Sequence, residues 1–86
     1  TDRKALRSLF SATGGHAWRK KDGWEEDSDD MKSWHGVSIN ASGRVNMVQL
    51  RENNLEGNLP AEIWDLTDLE QLDIAGNLLK GAHDNY

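Results

Sequence analysis

The second half of the chain repeats itself at a spacing of 24 residues, and this repetition limits the possible folds more than any other feature. Six apolar, asparagine or glycine positions between Val45 and Gly81 agree at one offset, first as V-x-x-V-x-L-x-x-N-x-L-x-G and then as L-x-x-L-x-I-x-x-N-x-L-x-G. A period of roughly 20 to 50 residues is typical of arrays in which each unit stacks on its neighbour. The sequence therefore predicts one complete unit and part of a second.

The spacing of the apolar residues within each unit predicts short parallel strands. Val48 and Leu50 alternate with polar residues and would point into the core, and Leu72 and Ile74 would do the same one unit later. One unit cannot bury its own leucines, so its stability would come from contacts with a neighbour.

Two asparagines, Asn53 and Asn77, occupy the same turn of the two units. Their carboxamides can bond to backbone groups in the bend that would otherwise be buried without partners. Recognition of a ligand is the alternative role. The repeated position favours the structural one.

The first residues of the chain have the pattern of an amphipathic helix. Apolar residues recur at spacings of one, three and four over residues 2–13, and Thr1 or Asp2 can cap the N-terminus. The pair Gly14-Gly15 is a natural stop, because glycine readily takes the left-handed conformation after a last helical turn. A helix is predicted over residues 2–13.

Residues 16–33 lose this periodicity and predict a loop anchored by large side chains. Trp18, Trp24 and Trp34 are expected to be structural, since a small domain with few aliphatic residues needs them in its core. A surface on which ligands stack is the alternative.

The alternating segments 37–39 and 45–50 predict a β-hairpin, in which Gly43 supplies the positive φ of the turn.

Composition excludes several classes of function. The net charge is −5 and the pI near 5.0, and Arg19-Lys20-Lys21 is the only basic run, so neither nucleic-acid binding nor a broad basic surface is expected. No apolar run is long enough for a membrane span, and no signal-peptide pattern opens the sequence, which predicts a soluble chain without membrane insertion. The absence of cysteine removes disulfides and Cys-based zinc sites, and weakens an extracellular assignment without excluding it.

The sequence also lacks the groups that an enzyme needs. It has no cysteine nucleophile, no Ser-His-Asp spacing, no glycine-rich phosphate loop and no histidine pair at metal spacing. The acidic run over residues 25–30 does not have the spacing of a calcium loop. No cofactor is predicted. Asn40-Ala41-Ser42 forms a glycosylation sequon, which is relevant only if the chain is secreted.

Residues 55–69, L-E-G-N-L-P-A-E-I-W-D-L-T-D-L, resemble the plant-type leucine-rich repeat L-x-G-x-I-P-x-x-L-x-x-L-x-x-L. Residues 34–37, W-H-G-V, resemble the W-x-G-V that ends the N-terminal cap of that family. Many such caps place a cysteine pair where this chain has Lys32 and Ile39. The sequence resembles instead the cysteine-free caps of algal and protist leucine-rich-repeat proteins, whose first residues are similar to residues 2–18 here.

The resemblance implies an α/β fold, a short right-handed leucine-rich-repeat solenoid with an N-terminal helix and β-hairpin cap. Residues 1–44 would form the cap, residues 45–68 the first repeat and residues 69–86 a partial second repeat. It further implies a non-catalytic module for protein–protein interaction. The alternatives are a structural subunit docked through its open C-terminal end, or a fragment of a longer receptor or enzyme.

In this family a protein partner commonly binds the concave strand face, whose exposed positions here are Met47, Gln49, Arg51, Gln71, Asp73 and Ala75. Arg51 and Asp73 could instead pair with each other. Trp64, on the outer side of the unit, is a second candidate contact, because plant-type repeats usually have a small residue there and tryptophan is enriched in interface hot spots. The alternative is that it folds back on Pro60 or the cap. Self-association through the open repeat end is also expected, because nothing in the sequence completes the second unit.

Overall fold

A computed structural model describes residues 2–26 and 29–79. Its one α-helix, α1, spans Asp2–Ala12. Single 3₁₀ turns span Gly15–Ala17, Met31–Ser33 and Ala61–Asp65. The five strands are β1 Val37–Ile39, β2 Val45–Gln49, β3 Glu56–Gly57, β4 Gln71–Asp73 and β5 Leu78–Leu79. The part of the second unit after Leu79, including Gly81, lies outside the described residues.

Helix α1 buries the apolar stripe that the sequence shows. Ala5, Leu6, Leu9 and Phe10 are all at most 3% exposed. Gly14 follows the helix with a φ of +68°, the left-handed conformation that lets the chain reverse after the last turn. Asp2 lies in the helix rather than capping it, so the prediction that its side chain caps the N-terminus is wrong, while Thr1 is outside the described residues.

A three-stranded sheet has the order β1, β2, β4. β1 runs antiparallel to β2, with an irregularity between Ser38 and Ile39, and the intervening turn contains Gly43 at a φ of +78°. β4 runs parallel to β2, and its partners follow the 24-residue offset, as in the pair Val48 and Leu72. A second, parallel sheet joins β3 to β5, and there Glu56 is paired with Leu78, two residues short of that offset.

One hydrophobic core joins the N-terminal half to the repeating half. The residues that form it come from α1, the tryptophan-rich loop, the sheet and the last 3₁₀ turn, and they include Leu6, Trp24, Val48, Leu55 and Ile63, each with no exposed area. The 3₁₀ turn Ala61–Asp65 packs against α1. Among the residues that the structure describes, no helix is both long and apolar enough to cross a lipid bilayer.

Candidate functional site

The six side chains predicted to contact a partner lie together on one side of the three-stranded sheet. We call this surface the strand face, and it comprises Met47, Gln49, Arg51, Gln71, Asp73 and Ala75. Parallel pairing of β2 with β4 sets Met47 beside Gln71 and Gln49 beside Asp73. The alternation of each strand buries Val48 and leaves these neighbours partly or fully exposed.

Charge on the strand face is largely compensated within the chain. Arg51 Nε lies 3.2 Å from a carboxylate oxygen of Asp73, the side chains being 63% and 24% exposed. An ion pair this exposed contributes little to stability, about 0–1 kcal/mol. A shallow cleft of about 380 Å³ lies between them and Glu70, Gln71, Leu72 and Ala75. The pairing holds Arg51 in place without removing it from contact with solvent.

The N-terminal hairpin extends the strand face, which the sequence did not predict. Ser38 of β1 is exposed and lies beside Met47, and Gln49 N–H donates to Gly36 O at 2.8 Å. The row across the sheet is therefore Ser38, Met47 and Gln71. The alternation in residues 37–39 was the available signal, because an antiparallel partner of β2 continues the same two faces.

Trp64 lies apart from the strand face, in the 3₁₀ turn Ala61–Asp65. Ile63 in the same turn has no exposed area, whereas Trp64 is 54% exposed. Nearly half of the residue is therefore covered within the chain, so partial packing on Pro60 or the N-terminal half stays an alternative to a partner contact.

The other three tryptophans form a buried cluster. Trp18, Trp24 and Trp34 are at most 4% exposed, and the ring centroids of neighbouring members are 4.8 and 5.0 Å apart. Trp18 Nε1 donates to Thr13 O and Trp24 Nε1 to a main-chain carbonyl. Because the rings are covered and both of these indole N–H groups are satisfied internally, the cluster offers no stacking surface to a ligand.

The two repeat asparagines hold the turns together. Asn77 Oδ1 accepts hydrogen bonds from the N–H groups of Asn53 and Leu55, at 2.9 and 3.0 Å. Its Nδ2 donates to Leu50 O and Ile74 O, both at 2.8 Å, and more weakly to a third carbonyl. These bonds tie the second turn to the first, so the carboxamide is engaged within the fold.

Asn53 makes the corresponding bonds to the N-terminal loop. Its Oδ1 accepts from Lys20 N–H at 2.7 Å and its Nδ2 donates to Lys20 O at 2.8 Å. Asn53 as a whole residue is only 2% exposed to solvent. The loop at Lys20 thus occupies, relative to Asn53, the place that the preceding turn occupies relative to Asn77.

An ion pair between the buried Asp2 carboxylate and the partly exposed Arg44, which the sequence did not reveal, joins α1 to the hairpin. The Asp2 carboxylate accepts from Arg44 Nε and Nη2, at 2.9 and 2.8 Å, and from Val45 N–H at 2.8 Å. The hydrogen bonds from Arg44 lower the pKa of Asp2 below its usual value, with further lowering by the Val45 N–H against the opposing effect of burial. Asp2 and Arg44 are separated by more than 40 residues, and no short sequence motif predicts that they pair.

The glycosylation sequon is built into the hairpin turn. Asn40 Oδ1 accepts from the N–H groups of Ser42 and Arg44, and Asn40 Nδ2 donates to an Asp68 carboxylate oxygen at 2.9 Å. The atom to which a glycan would be attached therefore already links the turn to the 3₁₀ side of the unit.

His16 and Glu25 form a contact on the surface of the molecule. His16 Nδ1 lies 3.1 Å from a Glu25 carboxylate oxygen on the surface, and this hydrogen bond, with the nearby Lys21 charge, lowers the pKa of Glu25. Within residues 2–26 and 29–79, no group of three histidine, aspartate or glutamate side chains is placed to hold a metal ion.

Sequence comparison finds plant receptor kinases among the relatives of this chain. No family model matches the chain. A probable leucine-rich repeat receptor-like protein kinase of Arabidopsis thaliana is 38% identical in an alignment of 83 positions that covers 84% of this chain and 9% of the relative. A probable inactive receptor kinase of the same plant is 37% identical over 94% of this chain and 12% of its own length. The chain thus spans about a tenth of these relatives.

Solved structures give the same result for the fold. A leucine-rich repeat protein from Bacteroides eggerthii superposes with a TM-score of 0.72 at 31% identity, covering 83% of this chain and 13% of that one. Another, from Bacteroides thetaiotaomicron, gives 0.71 at 30% identity, covering 83% of this chain and 10% of its own. Together with the strand offset and the asparagine-bonded turns, these likenesses show that the chain carries leucine-rich repeats similar to those of the plant receptor kinases and bacterial proteins named above.

Proposed function

We propose that the chain is the N-terminal part of a leucine-rich-repeat protein and serves as a non-catalytic module that binds a protein partner through its strand face. In this proposal residues 1–44 form a cap with a helix and hairpin, residues 45–68 the first repeat and residues 69–86 the start of the second, in a right-handed solenoid. The relatives' names, which include receptors and kinases, support a role in recognition. The chain corresponds to only about a tenth of their length.

The single observation that carries the proposal is the alignment of polar, solvent-facing side chains across successive strands. Gln49 and Gln71 are exposed, and the main chain beneath them is fixed by the β2–β4 ladder. Rigid strands that present exposed side chains at a fixed spacing suit recognition of another protein, since little conformational entropy is lost on binding. Each further repeat would add one more row.

Site-specific photo-crosslinking tests the strand face as the contact surface. A benzophenone amino acid replaces Gln71 on the strand face or, as a control, Ser42 in the hairpin turn, and both variants are irradiated in native extract. We expect crosslinked proteins that are specific to position 71 and are competed by the unlabelled chain but not by a Gln49→Trp chain. Identical products from positions 42 and 71, or competition that Gln49→Trp leaves unchanged, would contradict the proposal.

A second candidate function is suggested by the last described strand. Leu78 is 64% exposed at β5, beside Arg19 and Asn54 in a cleft of about 350 Å³. A subunit that docks onto this end of the chain would cover it, as would a further repeat. Size-exclusion chromatography with light scattering tests self-association through this end: we expect a mass above that of a monomer which returns to the monomer value in Leu78→Asp. A monomer at every concentration would rule out self-association.

A further inference from the structure

The 3₁₀ turn Ala61–Asp65 presents a defined pattern of side chains to solvent. Residues three apart eclipse one another in a 3₁₀ helix, so Ala61 and Trp64 form one column and Glu62 and Asp65 a second beside it. Ile63, with no exposed area, points the other way. We call the four exposed residues, Ala61, Glu62, Trp64 and Asp65, the outer face.

Burial of Ile63 fixes which side of this turn meets solvent. Because Ile63 belongs to the core and the turn packs against α1, rotation of the turn would expose an aliphatic side chain. Trp64 is held outward as a result, and its 54% exposure leaves about 100–130 Å² of indole in contact with water. The remaining tryptophans are almost fully covered, so the exposed ring is not a general property of the tryptophans in this chain.

The second column gives the outer face a negative charge. Glu62 and Asp65 are both exposed, and neither forms an ion pair with any described residue. Elsewhere in the described chain Asp2, Glu25 and Asp73 each have an arginine or lysine nitrogen within 4 Å. An exposed indole therefore lies next to two carboxylates that have no compensating charge within the described chain.

This combination suits one kind of chemistry. A guanidinium stacks on an indole face through cation–π attraction, and its N–H groups can at the same time pair with a carboxylate beside the ring. Ala61 completes an apolar column that an aliphatic side chain can cover. From this complementarity we infer that the outer face docks a segment of a protein partner that carries an arginine next to an aliphatic residue.

The inference deepens the proposed interaction function, because it assigns a partner chemistry to Trp64. Acidic segments would be repelled by Glu62 and Asp65, and nucleic acid by the same charges. A second copy of the chain, which could offer its exposed Arg19 and Lys20, is an outcome that the experiment distinguishes.

Subtractive selection from a random peptide library tests the inference directly. A phage-displayed library of twelve-residue peptides is panned on the immobilised chain after depletion on a Trp64→Ala chain of equal charge. We expect the surviving peptides to be enriched in arginine beside leucine, isoleucine or valine. Trp64→Ala is checked by near-ultraviolet circular dichroism, because the buried tryptophan cluster reports on the fold independently of position 64.

Synthetic versions of the selected peptides are then measured by calorimetry against matched variants. We expect Trp64→Ala to weaken binding by about tenfold or more and Trp64→Phe by only about threefold, since the smaller ring keeps a π face. Glu62→Gln with Asp65→Asn should weaken binding about fivefold and reduce its dependence on salt. Glu52→Gln with Glu56→Gln, which removes the same charge elsewhere, should leave binding within about twofold.

Several results would overturn the inference. These are the absence of peptides that depend on Trp64, peptides without basic residues, or an equal effect of the two double charge variants. Self-association that Trp64→Ala and Arg19→Gln both abolish would replace the partner segment with a second copy. Failure of the outer face with retention of the crosslinks at Gln71 would remove this inference alone and leave the proposed function standing.

Discussion

The Asp2 carboxylate connects the first turn of α1 to the hairpin, and its substitution provides the sharpest test of how the two halves are joined. Its side chain is 4% exposed and accepts two hydrogen bonds from Arg44 and one from Val45 N–H. Asp2→Asn keeps the shape and an acceptor for Val45 but loses the charge and one bond to the guanidinium. Since a hydrogen bond to a charged group contributes about 1.5–3 kcal/mol, we expect Asp2→Asn to destabilise the fold by about 1–2 kcal/mol.

Asp2→Ala should cost more, about 3 kcal/mol, because the buried Val45 N–H then has no acceptor. The value stays moderate because Arg44, 41% exposed, regains water once its partner is removed. Asp29→Asn is a matched control, as its carboxylate pairs with Arg3 of the same helix but is 96% exposed. That control should change the unfolding free energy by less than about 0.5 kcal/mol.

The pH dependence follows from the lowered pKa of Asp2. A carboxyl whose pKa is lower in the folded than in the unfolded chain stabilises the fold above its unfolded pKa, and this stabilisation disappears as pH falls through the folded pKa. The stability difference between wild type and Asp2→Asn should therefore be constant above about pH 5 and shrink below about pH 4. Glu25, whose pKa is also lowered, is present in both chains and cancels.

Urea unfolding followed by tryptophan fluorescence at matched protein concentration, repeated between pH 2.5 and 7, measures these quantities. The buried tryptophan cluster provides the signal. A difference that does not change over this pH range, or an Asp2→Asn chain as stable as the wild type, would refute the assigned role of the ion pair.

Substitutions at Asn77, Gly36 and Gly76 can be followed by the same unfolding measurement. Asn77→Ala should destabilise by about 2–4 kcal/mol, and Asn77→Asp by a similar amount, because a carboxylate cannot donate to the carbonyls that the amide now reaches; a cost under about 1 kcal/mol would contradict this. Gly36→Ala should cost about 3 kcal/mol or more, since φ is +82° and the new Cβ would lie 2.1 Å from Gln49 O; a near-neutral result would disprove that close approach. Gly76→Ala should cost about 1–2 kcal/mol, and Glu52→Gly should recover about half of it, because the added Cβ meets Glu52 Cγ at 2.6 Å; additive effects in a double-mutant cycle would exclude the contact.

Features set by local or repeated patterns could be predicted from the sequence. The helix was expected over residues 2–13 and spans Asp2–Ala12, because an apolar stripe and a glycine stop both act within a few residues. The offset of the repeat predicted the parallel partner of β2, since stacking identical units aligns identical positions. Both predictions depend only on residues that are close in sequence or that occupy equivalent positions of the repeat.

Features that depend on where distant segments meet could not be predicted. Asp2 reads as a helix cap in sequence, yet its partner Arg44 comes from the hairpin turn. Glu56 of β3 pairs with Leu78 of β5 at a spacing of 22 residues, whereas the repeat in the sequence has a spacing of 24.

Each of the two repeat asparagines forms hydrogen bonds with a segment that comes earlier in the chain. Asn77 binds the turn of the unit before it, and Asn53 binds Lys20 of the N-terminal loop in the same way. The loop therefore provides main-chain hydrogen-bond partners for Asn53, as the first turn does for Asn77.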